Sequence, residues 1–471
     1  MQQDLWKQPV TELSALMARK ALSPVELLQM YSERQERLNP ALNAIVAFDH
    51  DGALAAAKAA EARMLAGARL GPLDGVPVTV KDNLFVRGMP ATWGSRLFAD
   101  HRPEQDDLVV ARLRAAGALI VGKTNTPELA LASHTDNLVF GKTRNPWDLA
   151  LTPGGSSGGA VAAVAAGLAP LAIGTDAGGS IRRPAGYTGL VGLRPSTGRI
   201  ARCYGFPALA HDFQVIGPAA RTVEDLYALL RAVAGADARD RASLAFAGDV
   251  LPAVLPAAPR LRIRYIPAIG THPIDAPIRA AIARAAQQLA ALGHQVAEGA
   301  APFDPDEIDR IRAVLSGAAV ARVVSVHDGW RERVGRSVAE WTDNGLQLSA
   351  VDHVRALDAL NALRVRVAGA FDTVDVLLTA SSTAMPWPVE QPFPPQIDGR
   401  AAGARASGLF SGFVNAAGLP AISVPVTPSG AALPIGMQLI GAYGAELQLL
   451  QVAHEYEQAH PWAERWPAFA G

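Results

Sequence analysis

Leu73-Asp-Gly-Val-Pro-Val-Thr-Val-Lys-Asp-Asn83 places Val76, Val78 and Val80 on alternate positions. That is the period of a β-strand, and the polar Lys-Asp-Asn close marks its end. Upstream, Ser23-Pro-Val-Glu26 predicts a helix start, running on to Leu38. The serine caps, proline suits the first helical position, and the glutamate completes a capping box. Alanine-rich Asp51 to Leu70 predicts a second helix. Downstream the pattern alternates: helix over Asp106 to Ala116, buried strand over Ala118 to Val121, helix over Ala160 to Leu168, strand over Leu171 to Gly174. Helices alternating with short apolar strands predict an α/β fold.

Further along, the Ala-, Asp- and Pro-rich stretch from Gly235 to Pro259 reads as a surface excursion, because strand and helix patterns resume at Leu261. Residues of about 303 to 370 read as helical and carry Trp330 and Trp341. Ala421 to Val426 and Ile435 to Ile440 return to strand. The expected organisation is one domain over residues 1–471. Its motif core is expected at about 70–225 and a variable helical region at about 303–370. No repeat or heptad run interrupts it.

Composition narrows the function classes. Lysine and arginine number 43 against 44 aspartates and glutamates, so no strong field recruits nucleic acid or an anionic membrane. Cys203 is the single cysteine, which removes intrachain disulfides and argues against a cysteine-based zinc site. No signal peptide is read at the N-terminus. The longest uncharged apolar stretch, Ala160 to Ile173, is too short for a bilayer. A cytoplasmic globular protein is expected, with neither nucleic acid nor membrane as partner.

Two familiar patterns compete for attention. Gly117-Ala-Leu-Ile-Val-Gly-Lys-Thr124 matches a phosphate-binding loop letter for letter. A helix precedes its first glycine, however, and its variable positions are Ala, Leu, Ile and Val, which suit a buried strand and not a loop of exposed amides. Gly155-Ser-Ser-Gly-Gly159 fits a nucleophile elbow centred on Ser157. A downstream histidine would have to serve it, and His211, His272, His294, His327, His353, His454 and His460 are available. Only Leu149 to Thr152 could supply the preceding strand, which is thin support.

Two Ser/Gly-rich segments carry more chemistry: Thr152-Pro-Gly-Gly-Ser-Ser-Gly-Gly-Ala160 and Gly174-Thr-Asp-Ala-Gly-Gly-Ser-Ile-Arg-Arg-Pro184. Adjacent glycines cost backbone entropy unless close approach or positive φ is needed. Ala177-Gly-Gly-Ser180 can aim consecutive amides at one point, as an oxyanion hole requires. A serine hydroxyl needs a base. No histidine lies in or near these segments, whereas Lys81 ends an apolar strand where desolvation would lower its pKa.

These residues resemble the amidase-signature family along nearly the whole chain. The match continues through Gly122-Lys-Thr-Asn-Thr-Pro-Glu128, Asn145-Pro-Trp-Asp148, Gly189-Leu-Val-Gly-Leu-Arg-Pro195, Ile216-Gly-Pro218 and Arg221-Thr-Val-Glu-Asp225. It closes with Asn415-Ala-Ala-Gly-Leu-Pro-Ala421 and Pro434-Ile-Gly-Met-Gln-Leu-Ile-Gly441. The resemblance implies a central twisted mixed sheet flanked by helices on both faces. It implies Ser180 as nucleophile, Ser156 as a relay serine on a cis peptide, and Lys81 as base. It further implies an oxyanion hole from the amides of Ala177, Gly178, Gly179 and Ser180, with Ser157 and Asp176 supporting. The Ala130 carbonyl would contact substrate, and Arg183 is a candidate partner for a substrate carboxylate. No metal or organic cofactor is implied.

The activity this implies is hydrolysis of the C–N bond of a small or aryl amide through an acyl-enzyme, with esters and carbamates (urethanes) within reach. The alternatives are an esterase of the α/β-hydrolase kind using Ser157 and a histidine, and an inactive binding protein of the same fold. The family's glutamyl-tRNA amidotransferase subunit ends in a segment rich in Tyr, Asn, Arg and Gly, which is absent after His460-Pro-Trp-Ala-Glu-Arg-Trp466. A stand-alone hydrolase is therefore expected, with a small-molecule partner and room for a homodimer.

Overall fold

In the computed structural model, which describes residues 2–426 and 433–471, the three valines at 76, 78 and 80 are all fully buried. The strands are β1 (Ile45–Phe48), β2 (Pro77–Lys81), β3 (Leu119–Thr124), β4 (Leu171–Asp176), β5 (Val191–Arg194) and β6 (Val215–Ala220), then β7 (Arg262–Tyr265), β8 (Gln295–Glu298) and β9 (Val376–Ala380). A small hairpin, β10 (Gln396–Ile397) with β11 (Arg400–Ala401), stands apart, and β12 (Ala421–Pro425) and β13 (Gly436–Gly441) return to the main sheet. That sheet has 11 strands in the order β1-β3-β2-β4-β6-β5-β12-β13-β9-β7-β8.

The sheet is mixed. β2 lies parallel to both β3 and β4. From β4 through β6, β5, β12 and β13 to β9 every pairing is antiparallel. The distal strands β9, β7 and β8 are parallel again. The register that matters most aligns β2 with β4, Val80 opposite Ile173, so that Lys81 and Thr175 finish side by side.

Helices cover both faces. Gly158–Ala165 and Arg182–Thr188 touch each other and pack on β2, β4, β5 and β12, while Val223–Val233 and Glu446–Ala459 form a second contacting pair on β5, β6, β12 and β13. Gly158–Ala165 is buried at every residue, as a helix of Gly, Ala and Val pressed onto a sheet must be.

The capping box is formed: Val25 N donates to Ser23 Oγ at 3.0 Å and Ser23 N to Glu26 Oε2 at 3.0 Å. The helix it opens, Pro24–Leu42, outruns the expected Leu38 and stops where Asn43 turns left-handed. The second helix, His50–Leu65, is shorter than the alanine composition suggested, because the chain turns at Ala66-Gly67 with Gly67 at φ 71°. Gly235 to Pro259 contains only a short 3-10 turn, Arg241–Phe246. The region after residue 303 is helical as expected, in four segments: Pro305–Val324, Trp330–Arg333, Arg336–Leu346 and Ala350–Gly369.

The loop-like pattern at 117–124 is a buried strand, β3, preceded by the helix Leu108–Ala115. Lys123 donates to the carbonyls of Asp82 (3.3 Å), Leu84 (2.7 Å) and Pro90 (2.9 Å), so it fastens the loop that follows β2. Leu149 to Thr152 contributes only an isolated bridge, Leu151 to Pro388, where a nucleophile elbow would need a strand. Among the described residues, no helix is long and apolar enough to cross a membrane.

Candidate active site

Lys81 is the last residue of β2 and fully buried. Its Nζ lies 2.7 Å from Ser156 Oγ, 3.0 Å from Ser157 Oγ and 3.0 Å from Thr175 Oγ1. Burial lowers its pKa from 10.5 to about 7, with the Asp176 carboxylate opposing that shift. Desolvation without a paired carboxylate disfavours the ammonium. Near neutrality Lys81 is therefore in large part an amine, with two N–H donors and one lone pair.

The surrounding donors limit where that lone pair points. Ser157 Oγ donates to the Thr175 carbonyl at 3.1 Å, so towards Lys81 it can only accept. Thr175 Oγ1 also accepts from Asn83 Nδ2 at 3.0 Å. Ser156 has the shortest contact and makes no competing side-chain hydrogen bond among the described residues. Ser157 thus accepts from the amine, whose lone pair is left to the Ser156 or Thr175 hydroxyl, with Ser156 the nearer of the two. The Gly155–Ser156 peptide is cis.

Ser180 follows the glycine pair that leaves β4. Its carbonyl accepts from Ser157 N at 3.0 Å, which ties the two Ser/Gly segments together through the backbone. Its side chain is nearly buried, at 8% exposure, and its hydroxyl makes no hydrogen bond among the described residues.

Asp176 organises this turn. It accepts from Gly179 N (2.7 Å), Ile181 N (3.0 Å), Arg182 Nε (3.1 Å), Arg182 Nη2 (3.0 Å) and Asn415 Nδ2 (2.9 Å). Burial by itself would raise its pKa; the Arg182 charge and hydrogen bonds, the Ile181 amide and Arg194 hold it well below the usual carboxylate range. Of the four amides expected to form the oxyanion hole, one has a partner within the turn itself. The Gly179 amide is engaged by Asp176, leaving Ala177, Gly178 and Ser180 with amides free of partners among the described residues. Both glycines are sterically required. Gly179 has φ 95° and a Cβ there would lie 2.5 Å from Ser411 Oγ, while one on Gly178 would run into the Arg312 guanidinium.

Arg183 is buried at 4% exposure and donates from Nη2 to the Gly155 carbonyl at 3.1 Å, bracing the residue before Ser156. Ala130 has φ 59° and follows Leu129, itself at φ 51°. Leu129 belongs to an apolar cluster with Trp93 and Phe206, against which Ala130, Trp330 and Trp341 pack, so the helical region walls off this loop. Glu128 ties the wall down, accepting from Ser95 Oγ and from Gly335 N, each at 2.7 Å. Met385 and Trp387 serve packing: Trp387 is buried and meets Tyr187 edge to face. No group of three or more His, Cys, Asp or Glu side chains among the described residues is arranged to hold a metal ion.

Thr175, Asn83, Asn415 and Arg312 were not singled out from the sequence. For Asp176 a local signal existed: an aspartate three residues before Gly179 commonly captures that amide. Arg312 had none, lying far along the chain from the turn it touches.

A buried amine thus lies among serine and threonine hydroxyls where β2 ends, between β3 and β4 in a mixed α/β sheet. The chain belongs to the amidase family, whose model matches residues 26–450, and at that level it is an amidase-signature hydrolase of C–N bonds. It is 36% identical over 490 aligned residues to the A subunit of glutamyl-tRNA(Gln) amidotransferase from Gloeobacter violaceus, covering 98% of each chain. Its fold matches 6-aminohexanoate cyclic dimer hydrolase complexed with substrate at TM-score 0.86 and 29% identity, covering 99% of this chain and 100% of that one. It matches a bacterial aryl acylamidase of the amidase-signature family at TM-score 0.88 and 28% identity, covering 98% of each.

Proposed function

We propose that the protein hydrolyses a small or aryl amide by acyl transfer through Ser180, with Ser156 as proton relay and Lys81 as base. One observation carries this reading: a fully buried lysine, its pKa brought down to about 7, faces the Ser156 hydroxyl at 2.7 Å.

In the first half-reaction Ser180 Oγ forms a bond to the substrate carbonyl carbon. Its proton passes to Ser156, whose own proton moves to neutral Lys81. The oxyanion is held by the amides of Ala177, Gly178 and Ser180. Collapse breaks the C–N bond, and the relay run backwards protonates the departing amine. Water then attacks the acyl-Ser180 ester by the same relay, releasing a carboxylic acid and restoring the serine. Ester and carbamate carbonyls fit the same acylation. The esterase alternative through Ser157 lacks support: the Ser157 hydroxyl is engaged by Lys81 and Thr175, and among the described residues no histidine hydrogen-bonds to it.

A second reading has one observation in its favour. The Gloeobacter violaceus relative belongs to an amidotransferase as its A subunit, and this chain spans 98% of its length. Length therefore does not separate a stand-alone amidase from a component of a larger enzyme. Turnover by the purified chain alone separates them: a stand-alone amidase hydrolyses anilides or primary amides without further chains.

The test of the mechanism is kinetic. Ser180→Ala, Ser156→Ala and Lys81→Ala should each lower kcat by about 10²–10⁴-fold or more on a 4-nitroanilide. Near wild-type turnover in the lysine variant would remove the lysine base, and wild-type turnover in Ser180→Ala would remove the nucleophile.

A further inference from the structure

Two arginines flank the Gly178-Gly179 turn with too few partners for their charge. Arg312, on the helix Pro305–Val324, lies against Gly178, where a Cβ would sit 3.1 Å from its Cζ and 3.2 Å from its Nη2. It forms neither a hydrogen bond nor an ion pair with any described residue, and its Nε is shielded from solvent without a partner. Arg183 lies on the other side. A Cβ on Gly179 would be 3.6 Å from its Nη1, and one on Gly408 would be 2.8 Å away. Among its five N–H donors only one finds an acceptor, the Gly155 carbonyl, and its Nε is likewise buried and unpartnered.

The nearby carboxylates are committed elsewhere. Asp176 is saturated by Arg182, Asn415 and two backbone amides. Asp309 pairs with Arg405 at 2.8 Å. Burial and the neighbouring Arg405 charge lower the Arg312 pKa to about 10, with Arg183 adding to the repulsion. A guanidinium at that value is still charged near neutrality. Two guanidinium groups, each with a buried Nε that lacks an acceptor and no carboxylate paired to it, flank the turn that carries the nucleophile, and such a site is prepared for an anion.

We infer that Arg312, with Arg183, receives a carboxylate of the substrate, so that the amide hydrolysed at Ser180 is an anionic one. This rests on the hydrolase reading above and names its substrate class. Planar guanidinium groups favour carboxylates through charge-assisted, paired hydrogen bonds. The carboxylate could belong to the acyl chain or to the departing amine, and both place a negative charge beside the turn.

The experiment uses the full-length chain, on the alkaline side of the Lys81 titration, with three amides: the mono-4-nitroanilide of glutaric acid (charge on the acyl side), N-pentanoyl-4-aminobenzoate (charge on the leaving side) and pentanoyl-4-nitroanilide (neutral). The wild type should show a kcat/KM at least about tenfold higher for one of the anionic amides than for the neutral one. Arg312→Met should lower that anionic-to-neutral ratio by at least about tenfold, and Arg312→Lys should restore part of it. Equal rates for anionic and neutral amides in the wild type would overturn the inference. So would an Arg312→Met variant that slows all three amides equally. In either case a fluorophosphonate adduct on Ser180 would leave the hydrolase reading intact. No turnover of any amide together with no adduct would instead remove that reading, and this inference with it.

Discussion

Replacing Lys81 by methionine removes the charge while keeping most of the apolar stem, so it isolates one titration. Burial lowers the lysine from 10.5 to about 7. At about 1.4 kcal/mol per unit, carrying the ammonium costs the folded state about 5 kcal/mol relative to the unfolded chain. Because the folded pKa is the lower one, the folded state binds fewer protons than the unfolded chain between the two values. Wild-type stability therefore rises with pH across that window, and the contribution is lost as pH falls through about 7. Lys81→Met has no such dependence. Its three lost hydrogen bonds, to Ser156, Ser157 and Thr175, add an offset that does not vary with pH. Urea unfolding of both proteins should show the wild type gaining on the variant by about 2 kcal/mol between about pH 7 and pH 9. The kcat/KM of the wild type should fall on the acid side of about pH 7 with the slope of one proton. Stability curves that stay parallel, or an activity plateau continuing well below pH 6, would refute a neutral buried lysine.

Four further outcomes follow from the same geometry. Asp176→Asn leaves the buried Arg182 charge uncompensated and should lower stability by about 3–5 kcal/mol, read as a lower urea midpoint. It also removes a negative charge that raises the Lys81 pKa, so the acid limb of any residual activity should move to lower pH. Gly179→Ala forces a side chain into φ 95° and onto Ser411, displacing the turn; kcat should fall by about 10²-fold or more as the oxyanion donors move. Ser157→Ala removes one hydroxyl from Lys81 but leaves the Ser156 contact, so its kcat should stay well above that of Ser156→Ala under identical assay conditions.

The local frame was legible in the residues themselves. Alternating valines placed β2, and the Ser23 box placed the helix that starts at Pro24, because both signals are local and strong. Lys81 was legible as a strand-end lysine and Ser180 as the residue after a glycine pair. Separating Ser156 from Ser157 was not: it depends on the Ser157 hydroxyl pointing at the Thr175 carbonyl, a contact made only once β2 and β4 pair. The strand order β6-β5-β12-β13 was equally hidden, since it joins segments about two hundred residues apart. The helix over residues 50–65 ended early because a glycine turn overrode alanine propensity. Arg312 and Asn415 reach the turn after β4 from distant helices, and only packing brings them there.

The central claim is that Ser180 is the residue acylated. Treating the wild-type chain with a fluorophosphonate and mapping the adduct by peptide mass spectrometry tests it directly. The adduct should sit on Ser180, and its formation should slow sharply in Lys81→Met. An adduct on Ser156 or Ser157, or labelling at Ser180 that is equally fast without the lysine, would contradict the account.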